Sequence, residues 1–222
     1  MSLVVALVGA ESTGKTMLAQ SLAGSFAAQG HRVTVVPEYL REFCDAQGRT
    51  PRRHEQAHIA DEQTRRIALA ARTHDLVIAD TTALMIAVYS ETVFGDTGLY
   101  AGAERAHREG CGLTLLTALD LPWRADGLQR DGPHVREPVD ARVRAALARS
   151  AVDFSVVFGS GDARLQAALT AVQRALAPAA TAGSDDAGSA RWHWHCERCG
   201  DAHCERHARL PKLDVRGENG AR

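Results

Sequence analysis

The segment Gly9–Thr16 constrains the fold of this chain more than any other. It reads Gly-Ala-Glu-Ser-Thr-Gly-Lys-Thr and matches the pattern G-x-x-x-x-G-K-[ST]. It follows Leu3–Val8, an apolar run typical of a strand buried on both faces, and opens Lys15–Ala28, which is rich in helix formers. In this order the backbone N–H groups and the positive end of the helix dipole converge on one anion. The segment therefore predicts a phosphate-binding loop.

The side chains of this loop predict a nucleoside triphosphate bound with Mg²⁺. Lys15 is expected to reach the β- and γ-phosphates, and Thr16 is expected to offer its hydroxyl to the metal. The candidate nucleotide-binding residues of the loop are Gly9, Glu11, Ser12, Thr13, Gly14, Lys15 and Thr16. This pattern does not distinguish ATP from GTP.

Strand and helix patterns alternate five times along the chain. Four further apolar runs predict strands at Arg32–Val36, Leu76–Ala79, Leu113–Leu119 and Phe154–Phe158. Helices are predicted at Arg52–Arg72, Thr82–Val93, Ala101–Arg108, Val139–Ser150 and Ala163–Ala177. This alternation favours a three-layer α/β fold, with a parallel sheet between helices and ligands at the carboxyl ends of the strands.

Composition narrows the classes of function. The 222 residues carry a net charge of −1, so no basic field that attracts nucleic acid is expected. The sequence contains no run of about 18 apolar residues, so no membrane span is predicted. The sequence enters its first strand directly after Met1-Ser2, without the basic segment of a secretory signal, and a cytoplasmic location is expected. The five cysteines suit a reducing compartment and a metal site better than a disulfide framework.

Asp80 closes the apolar run Leu76–Ala79. A carboxylate at this strand end can hold Mg²⁺ through water or orient a nucleophile, and the strand has the place in the order expected of a Walker B element. The alternative is an aspartate that caps a helix beginning at Thr81 or Thr82.

The segment Pro122–Pro138 is rich in Gly, Pro and charge and is predicted to be a mobile loop. It contains Arg124, Arg130 and Arg136, as would a basic lid that excludes water from phosphoryl transfer. The alternative is a solvated loop with incidental charges.

An acid, an aromatic ring and an arginine follow the second predicted strand. Glu38 can accept a hydroxyl proton or bind a ribose diol, Tyr39 can stack on a ring, and Arg41 can contact a phosphate. These types together suit a small acceptor molecule. The alternative is an ion-pair cluster on the surface at the start of a helix.

Taken together, these motifs resemble the ribosylnicotinamide kinase domain of NadR-type proteins over about residues 3 to 177. The resemblance rests on the P-loop, on Glu38, Tyr39 and Arg41, on Asp80-Thr81, and on the lid residues Asp120, Pro122, Trp123, Asp126, Gly127 and Arg130. NadR-type proteins usually carry an adenylyltransferase domain before the kinase. This sequence begins at the kinase strand and has no His-x-Gly-His signature, so regulation of transcription is not expected.

The resemblance implies strand order 2-3-1-4-5 and transfer of the ATP γ-phosphate to the ribose 5′-hydroxyl of nicotinamide riboside. It implies Lys15, Arg124 and Arg130 as catalytic groups, with Glu38 or Asp80 as the base. The substrate residues would be Glu38, Tyr39, Arg41, Trp123 and Asp126, and the turn Gly159-Ser160-Gly161 would lie near the adenine. Two other readings stay open: another acceptor of the same kind, or a regulatory ATP-binding module without a small acceptor.

The chain divides by composition into a P-loop kinase-like domain at 1–177, a linker at 178–190 and a Cys/His-rich tail at 191–222. Cys196, Cys199, Cys204 and His207 form two ligand pairs that suit structural Zn²⁺. The alternatives are a disordered tail that binds metal adventitiously, or an iron–sulfur or redox role. A zinc-bound tail could engage a protein partner.

Overall fold

Five parallel strands form the centre of this computed structural model, which describes residues 2–124 and 132–177, all within the unit Met1–Pro178. The strands are β1 (Leu3–Val8), β2 (Val33–Val36), β3 (Leu76–Asp80), β4 (Leu113–Thr117) and β5 (Ser155–Val157). Their order in the sheet is β2-β3-β1-β4-β5, and every adjacent pair is parallel. The fold class and the strand order implied by the resemblance are confirmed.

Helices cover both faces of the sheet. They are α1 (Lys15–Ala28), α2 (Tyr39–Gln47), α3 (Gln56–Ala71), α4 (Ala83–Phe94), α5 (Tyr100–Gly110), α6 (Arg136–Arg149) and α7 (Gly161–Leu176). Short 3₁₀ turns at Arg53–Glu55 and Pro133–Val135 lead into α3 and α6. None of the helices in the described ranges is long and apolar enough to cross a membrane.

The central strand β1 is buried on both faces, as its continuous apolar run predicts. Val5 and Leu7 pack with Phe26 of α1 and Val172 of α7. Val8 points to the opposite face and belongs to the cluster that holds the apolar side chains of α4 and α6. Successive strand residues therefore serve alternate layers, which is why a run without polar interruption was needed here.

One predicted element had wrong bounds and one helix was missed. Helix α2 was not among the predicted helices and entered only as a helix start in the alternative interpretation of Glu38–Arg41, because nine residues are too few for a clear helical period. Helix α6 begins at Arg136 rather than Val139, so the predicted loop Pro122–Pro138 extends too far. Pro138 is the third residue of α6, and proline is tolerated there because first-turn N–H groups have no acceptor within the helix. The predicted strands and the other helices are displaced by a few residues at their ends, apart from β1 and α1, whose bounds agree.

The strand register brings the candidate motifs to one edge. Leu7 lies opposite Asp80 of β3, and Val8 lies opposite Leu116 of β4. The loop that follows β1 therefore begins between the ends of β3 and β4. This is the edge at which ligands of such sheets bind.

Candidate nucleotide-binding site

Gly9 allows the P-loop to leave β1 close to the end of β4. Its φ is +142°, a backbone conformation that side chains disfavour. A Cβ on Gly9 would also collide with the hydroxyl oxygen of Thr117. Glycine is therefore required by both conformation and space.

Contacts to β4 and to the segment after it hold the P-loop in place. Thr13 is fully buried, donates to the carbonyl of Ala10 at 2.8 Å and lies 2.7 Å from the hydroxyl of Thr117, oxygen to oxygen. The Ser12 hydroxyl accepts a hydrogen bond from the backbone N–H of Arg124 at 2.8 Å. The first residues of the predicted lid therefore contact the P-loop directly.

The Lys15 ammonium lies inside the curve of the P-loop. It donates to the carbonyls of Gly9 and Ala10, each at 2.8 Å, and the residue is 9% exposed. Gly14 precedes it with φ of +77° and caps α1. The lysine and the first turn of α1 therefore face the same concave loop, as the phosphate-binding motif requires.

Thr16 and Asp80 form a pair that fits Mg²⁺. The Thr16 hydroxyl donates to Asp80 Oδ2 at 2.6 Å. Asp80 is 3% exposed, and its other oxygen, Oδ1, is buried without a hydrogen-bond partner among the described residues. A buried carboxylate oxygen beside a hydroxyl is a hard-oxygen donor set of the kind that Mg²⁺ prefers. Thr16 and Asp80 are therefore suited to hold the ion.

The backbone next to Asp80 is strained. Thr81 has φ of +83°, which is rare for a β-branched residue and is associated with functional sites. Its N–H donates to the carbonyl of Leu7 at 3.1 Å, and its own carbonyl accepts from Gln63 Nε2 at 3.2 Å. Gln63 lies on α3 and is fully buried, so its hydrogen bond holds the turn between β3 and α4 against α3.

A second, partly buried network joins the P-loop to the end of β5. Arg164, 5% exposed on α7, donates to the carbonyl of Thr13 at 2.7 Å and to Asp120 Oδ1 at 3.1 Å. It also donates to the carbonyl of Gly159 at 3.1 Å, and the Gly159 N–H donates to Asp120 Oδ2. Gly159, predicted to lie near the base of the nucleotide, is thereby tied to the phosphate loop.

Sequence reasoning missed Arg164 and gave Asp120 no role of its own. Asp120 was visible as an acid just past a strand, but Arg164 looks like an ordinary basic residue of an amphipathic helix. Its partners are two backbone carbonyls and one carboxylate at distant positions in the chain, so no local spacing signals it.

The residues predicted to bind the acceptor lie at the end of β2. Glu38 caps α2, and its side chain is 11% exposed, 3.8 Å from the Arg41 guanidinium. The Tyr39 ring is half-buried, with the guanidinium of Arg66 4.3 Å from its centroid and the His58 ring packed edge-on at 6.2 Å. The structure thus brings acid, ring and arginine together, with one face of the ring covered by Arg66.

Several predicted site residues fall outside the described ranges. They are Asp126, Arg130 and the four candidate zinc ligands Cys196, Cys199, Cys204 and His207. Trp123 lies at the edge of the described part, with its indole Nε1 buried and without an acceptor among the described residues. Within residues 2–124 and 132–177, no cluster of three or more His, Cys, Asp or Glu side chains is arranged to hold a metal ion.

A cavity of about 280 Å³ lies away from the P-loop, between α3 and α5. Its lining is mostly apolar and includes Ile67, Ala68, Ala71, His107 and Cys111. Burial lowers the pKa of His107 to about 4 and raises the pKa of the Cys111 thiol to about 12. Both groups are therefore neutral at pH 7, and the cavity lacks the charge that a phosphate site needs.

Known proteins with this fold include NadR. A family model described as AAA domain matches residues 4–164, which is more than half of the chain. Two solved structures, one of a NadR protein in complex with NR and one of a NadR protein in complex with NAD and AMP-PNP, have TM-scores of 0.64 and 0.62. Each is 20% identical to this chain and covers 85% of it.

The chain spans about half the length of these NadR structures, 53% and 52% respectively. No curated protein matches it. The structural likeness supports the fold, and the family match covers the P-loop, Asp80, Asp120 and Arg164 together. The chain therefore belongs to this family of AAA domains and is a P-loop nucleotide-binding protein.

Proposed function

We propose that this protein is an ATP-dependent kinase that phosphorylates the ribose 5′-hydroxyl of nicotinamide riboside or a similar nucleoside. The observation that carries the proposal is the shared edge of the sheet. There the P-loop, the Thr16–Asp80 pair and the Glu38–Arg41 pair follow three neighbouring strands, β1, β3 and β2. A donor site and an acceptor site side by side are what phosphoryl transfer requires.

The donor half of the site binds ATP through backbone and cationic groups. The P-loop N–H groups and Lys15 bind the β- and γ-phosphates, and Glu11 lies in the same loop. Thr16 and Asp80 would hold Mg²⁺, and the ion would neutralise charge on the phosphates. The turn at Gly159 is proposed to lie near the adenine. The NadR structure with AMP-PNP supports ATP as the donor.

The acceptor half supplies a base and a binding surface. The acceptor oxygen forms a bond to the γ-phosphorus while the bond from that phosphorus to the β–γ bridging oxygen breaks, and the hydroxyl proton passes to Glu38 or Asp80. Arg124 and Arg130 close over the phosphates and exclude water. Tyr39, Arg41, Trp123 and Asp126 bind the nucleoside. Because Arg66 covers one face of Tyr39, a stacked base would use the other face.

The test is ADP release from ATP and Mg²⁺ with a panel of nucleosides that includes nicotinamide riboside. We expect one nucleoside to stimulate ADP release and to gain a 5′-phosphate detectable by mass spectrometry. Lys15→Ala should reduce the rate by about 100-fold or more, because it removes the charge that meets the γ-phosphate. Arg32→Ala is the matched control, since Arg32 forms an exposed ion pair with Asp75 at the opposite edge of the sheet.

ADP release that no nucleoside stimulates would contradict the kinase proposal and favour the alternative, a regulatory ATPase module.

The domain division at 177 and 190 and the zinc site at Cys196, Cys199, Cys204 and His207 stay predictions. Zinc bound at one ion per chain in metal analysis, and lost in Cys196→Ser, is the expected result. No zinc in the purified chain would contradict it.

A further inference from the structure

Arg136 is a buried cation without a counter-charge among the described residues. It is the first residue of α6 and is 8% exposed. Its Nη1 donates to the carbonyl of Leu121 at 2.9 Å, whereas its Nε and Nη2 are buried and have no acceptor in the described part of the chain. A guanidinium keeps its charge at every physiological pH, so donors buried in this way are unfavourable unless an anion binds them.

Each of the other arginines of α6 has a carboxylate partner, although Arg142 Nε, like the two Arg136 donors, is buried without a hydrogen bond to a described residue. Arg142 is paired with Glu91 at 3.3 Å, Arg144 with Asp140 at 2.7 Å, and Arg149 with Glu104 at 2.8 Å. These three side chains are between 35% and 51% exposed. The most buried arginine of the helix is thus the one that no described carboxylate pairs with.

The position of Arg136 indicates which anion could bind its two unpaired N–H donors. Its acceptor Leu121 packs on the P-loop, because a Cβ on Gly14 would lie 3.0 Å from Leu121 Cδ1. Gly14 immediately precedes Lys15 and the first turn of α1, where the phosphates are expected. The guanidinium is therefore separated from the phosphate loop by one leucine residue.

The fold also indicates which end of the nucleotide Arg136 meets. Gly159 and Arg164, on the base side, belong to the β5–α7 layer, which packs with α1. Arg136 begins α6, whose apolar residues pack with those of α4, the helix that follows Asp80. The end of the phosphate chain that points away from the base lies towards Asp80 and α4.

We propose that Arg136 binds the terminal phosphoryl group of the nucleoside triphosphate through its Nε and Nη2 donors. Two parallel N–H donors match two phosphoryl oxygens, and this geometry is specific to arginine. Arg136 was predicted to belong to the lid, and the structure places it in the first turn of α6 instead. This inference deepens the proposed function, since it concerns the donor half of the same site, but it does not depend on the identity of the acceptor.

The test compares binding of AMP-PNP and ADP, each with Mg²⁺, by calorimetry on the full chain. Arg136→Met should weaken AMP-PNP by about tenfold or more while ADP changes less than about twofold, because only AMP-PNP carries the third phosphoryl group. Arg136→Lys keeps the charge without the planar fork and should lie between the two. Arg144→Met, on the same helix but exposed and paired within it, should match the wild type for both nucleotides.

Thermal unfolding of the nucleotide-free variants separates binding from a structural role. If Arg136 serves to bind a ligand, the Tm of Arg136→Met without nucleotide should be equal to or higher than that of the wild type. The substitution removes a buried charge whose donors are partly unsatisfied. Equal loss of AMP-PNP and ADP affinity in Arg136→Met and Arg136→Lys, or no loss in either, would overturn the proposal. If no nucleoside is phosphorylated and the selective loss for AMP-PNP is still seen, the kinase proposal fails and the role of Arg136 stands.

Discussion

Arg164 shows how one side chain sets the geometry of a loop distant in sequence. Its two terminal nitrogens reach the Thr13 carbonyl of the P-loop, the Gly159 carbonyl and the Asp120 carboxylate. No other side chain in the described hydrogen-bond network joins the phosphate loop to the turn after β5. Because both carboxylate oxygens of Asp120 are engaged, Arg164 and Gly159 hold a fixed spacing between the P-loop and the turn after β5.

We therefore expect Arg164→Met to act on nucleotide affinity. The dissociation constant for ADP should rise about tenfold, since charge-assisted hydrogen bonds to the loop are lost. Arg164→Lys should recover part of the affinity, whereas Arg174→Met, exposed on the same helix, should have no effect. Calorimetry with ADP measures all three. Unchanged ADP affinity in Arg164→Met would show that the spacing does not depend on this residue.

At the scale of elements, α3 positions the strand ends through Gln63. Its Oε1 accepts from the Tyr39 N–H at 2.8 Å, and its Nε2 donates to the carbonyls of Pro37 and Thr81 at 3.3 and 3.2 Å. One amide thus joins the end of β2, the start of α2 and the strained turn after β3. The predicted long helix Arg52–Arg72 was confirmed as a helix from Gln56, but its polar face gave no sign that Gln63 is buried.

Gln63→Ala should lower the free energy of unfolding by about 3 kcal/mol, because one buried and two partly buried backbone groups each lose a partner. Urea denaturation followed by circular dichroism measures the change. Gln166→Ala, exposed on α7, is the matched control and should stay within about 0.5 kcal/mol of the wild type. A loss below about 1 kcal/mol in Gln63→Ala would mean that water or local rearrangement replaces the amide.

For the whole molecule, the parts predicted from sequence are those encoded locally. The P-loop, Asp80 and the alternation of strands and helices are written in adjacent residues, and the structure places them at one edge. Arg136 was assigned to the predicted lid, and the structure places it in the first turn of α6. Gln63 and Arg164 were missed because their contacts join positions far apart in the chain. Such contacts form only when the layers pack together, so no local sequence pattern indicates them.

The stability of the whole fold should depend on pH through His107. This residue is 2% exposed, with Thr82 before α4 and Thr114 of β4 each 2.9 Å from a ring nitrogen, and burial lowers its pKa from 6.5 to about 4. A lowered pKa means that the unfolded chain binds the proton more tightly. The stabilisation is therefore complete above pH 6.5 and is lost as the pH falls towards 4. Between pH 7 and pH 5 the free energy of unfolding should fall by about 2 kcal/mol.

Urea denaturation at pH 7, 6 and 5 measures this slope, and His107→Gln is the variant that isolates it. Glutamine cannot be protonated but can still donate to one threonine and accept from the other, so its slope should be close to zero whatever its stability at pH 7. Glu55 and Glu62, whose ion pairs with arginines lower their pKa values to about 2, lose their contribution only below pH 4.5 and do not interfere. A wild-type slope retained in His107→Gln would assign the effect to other groups.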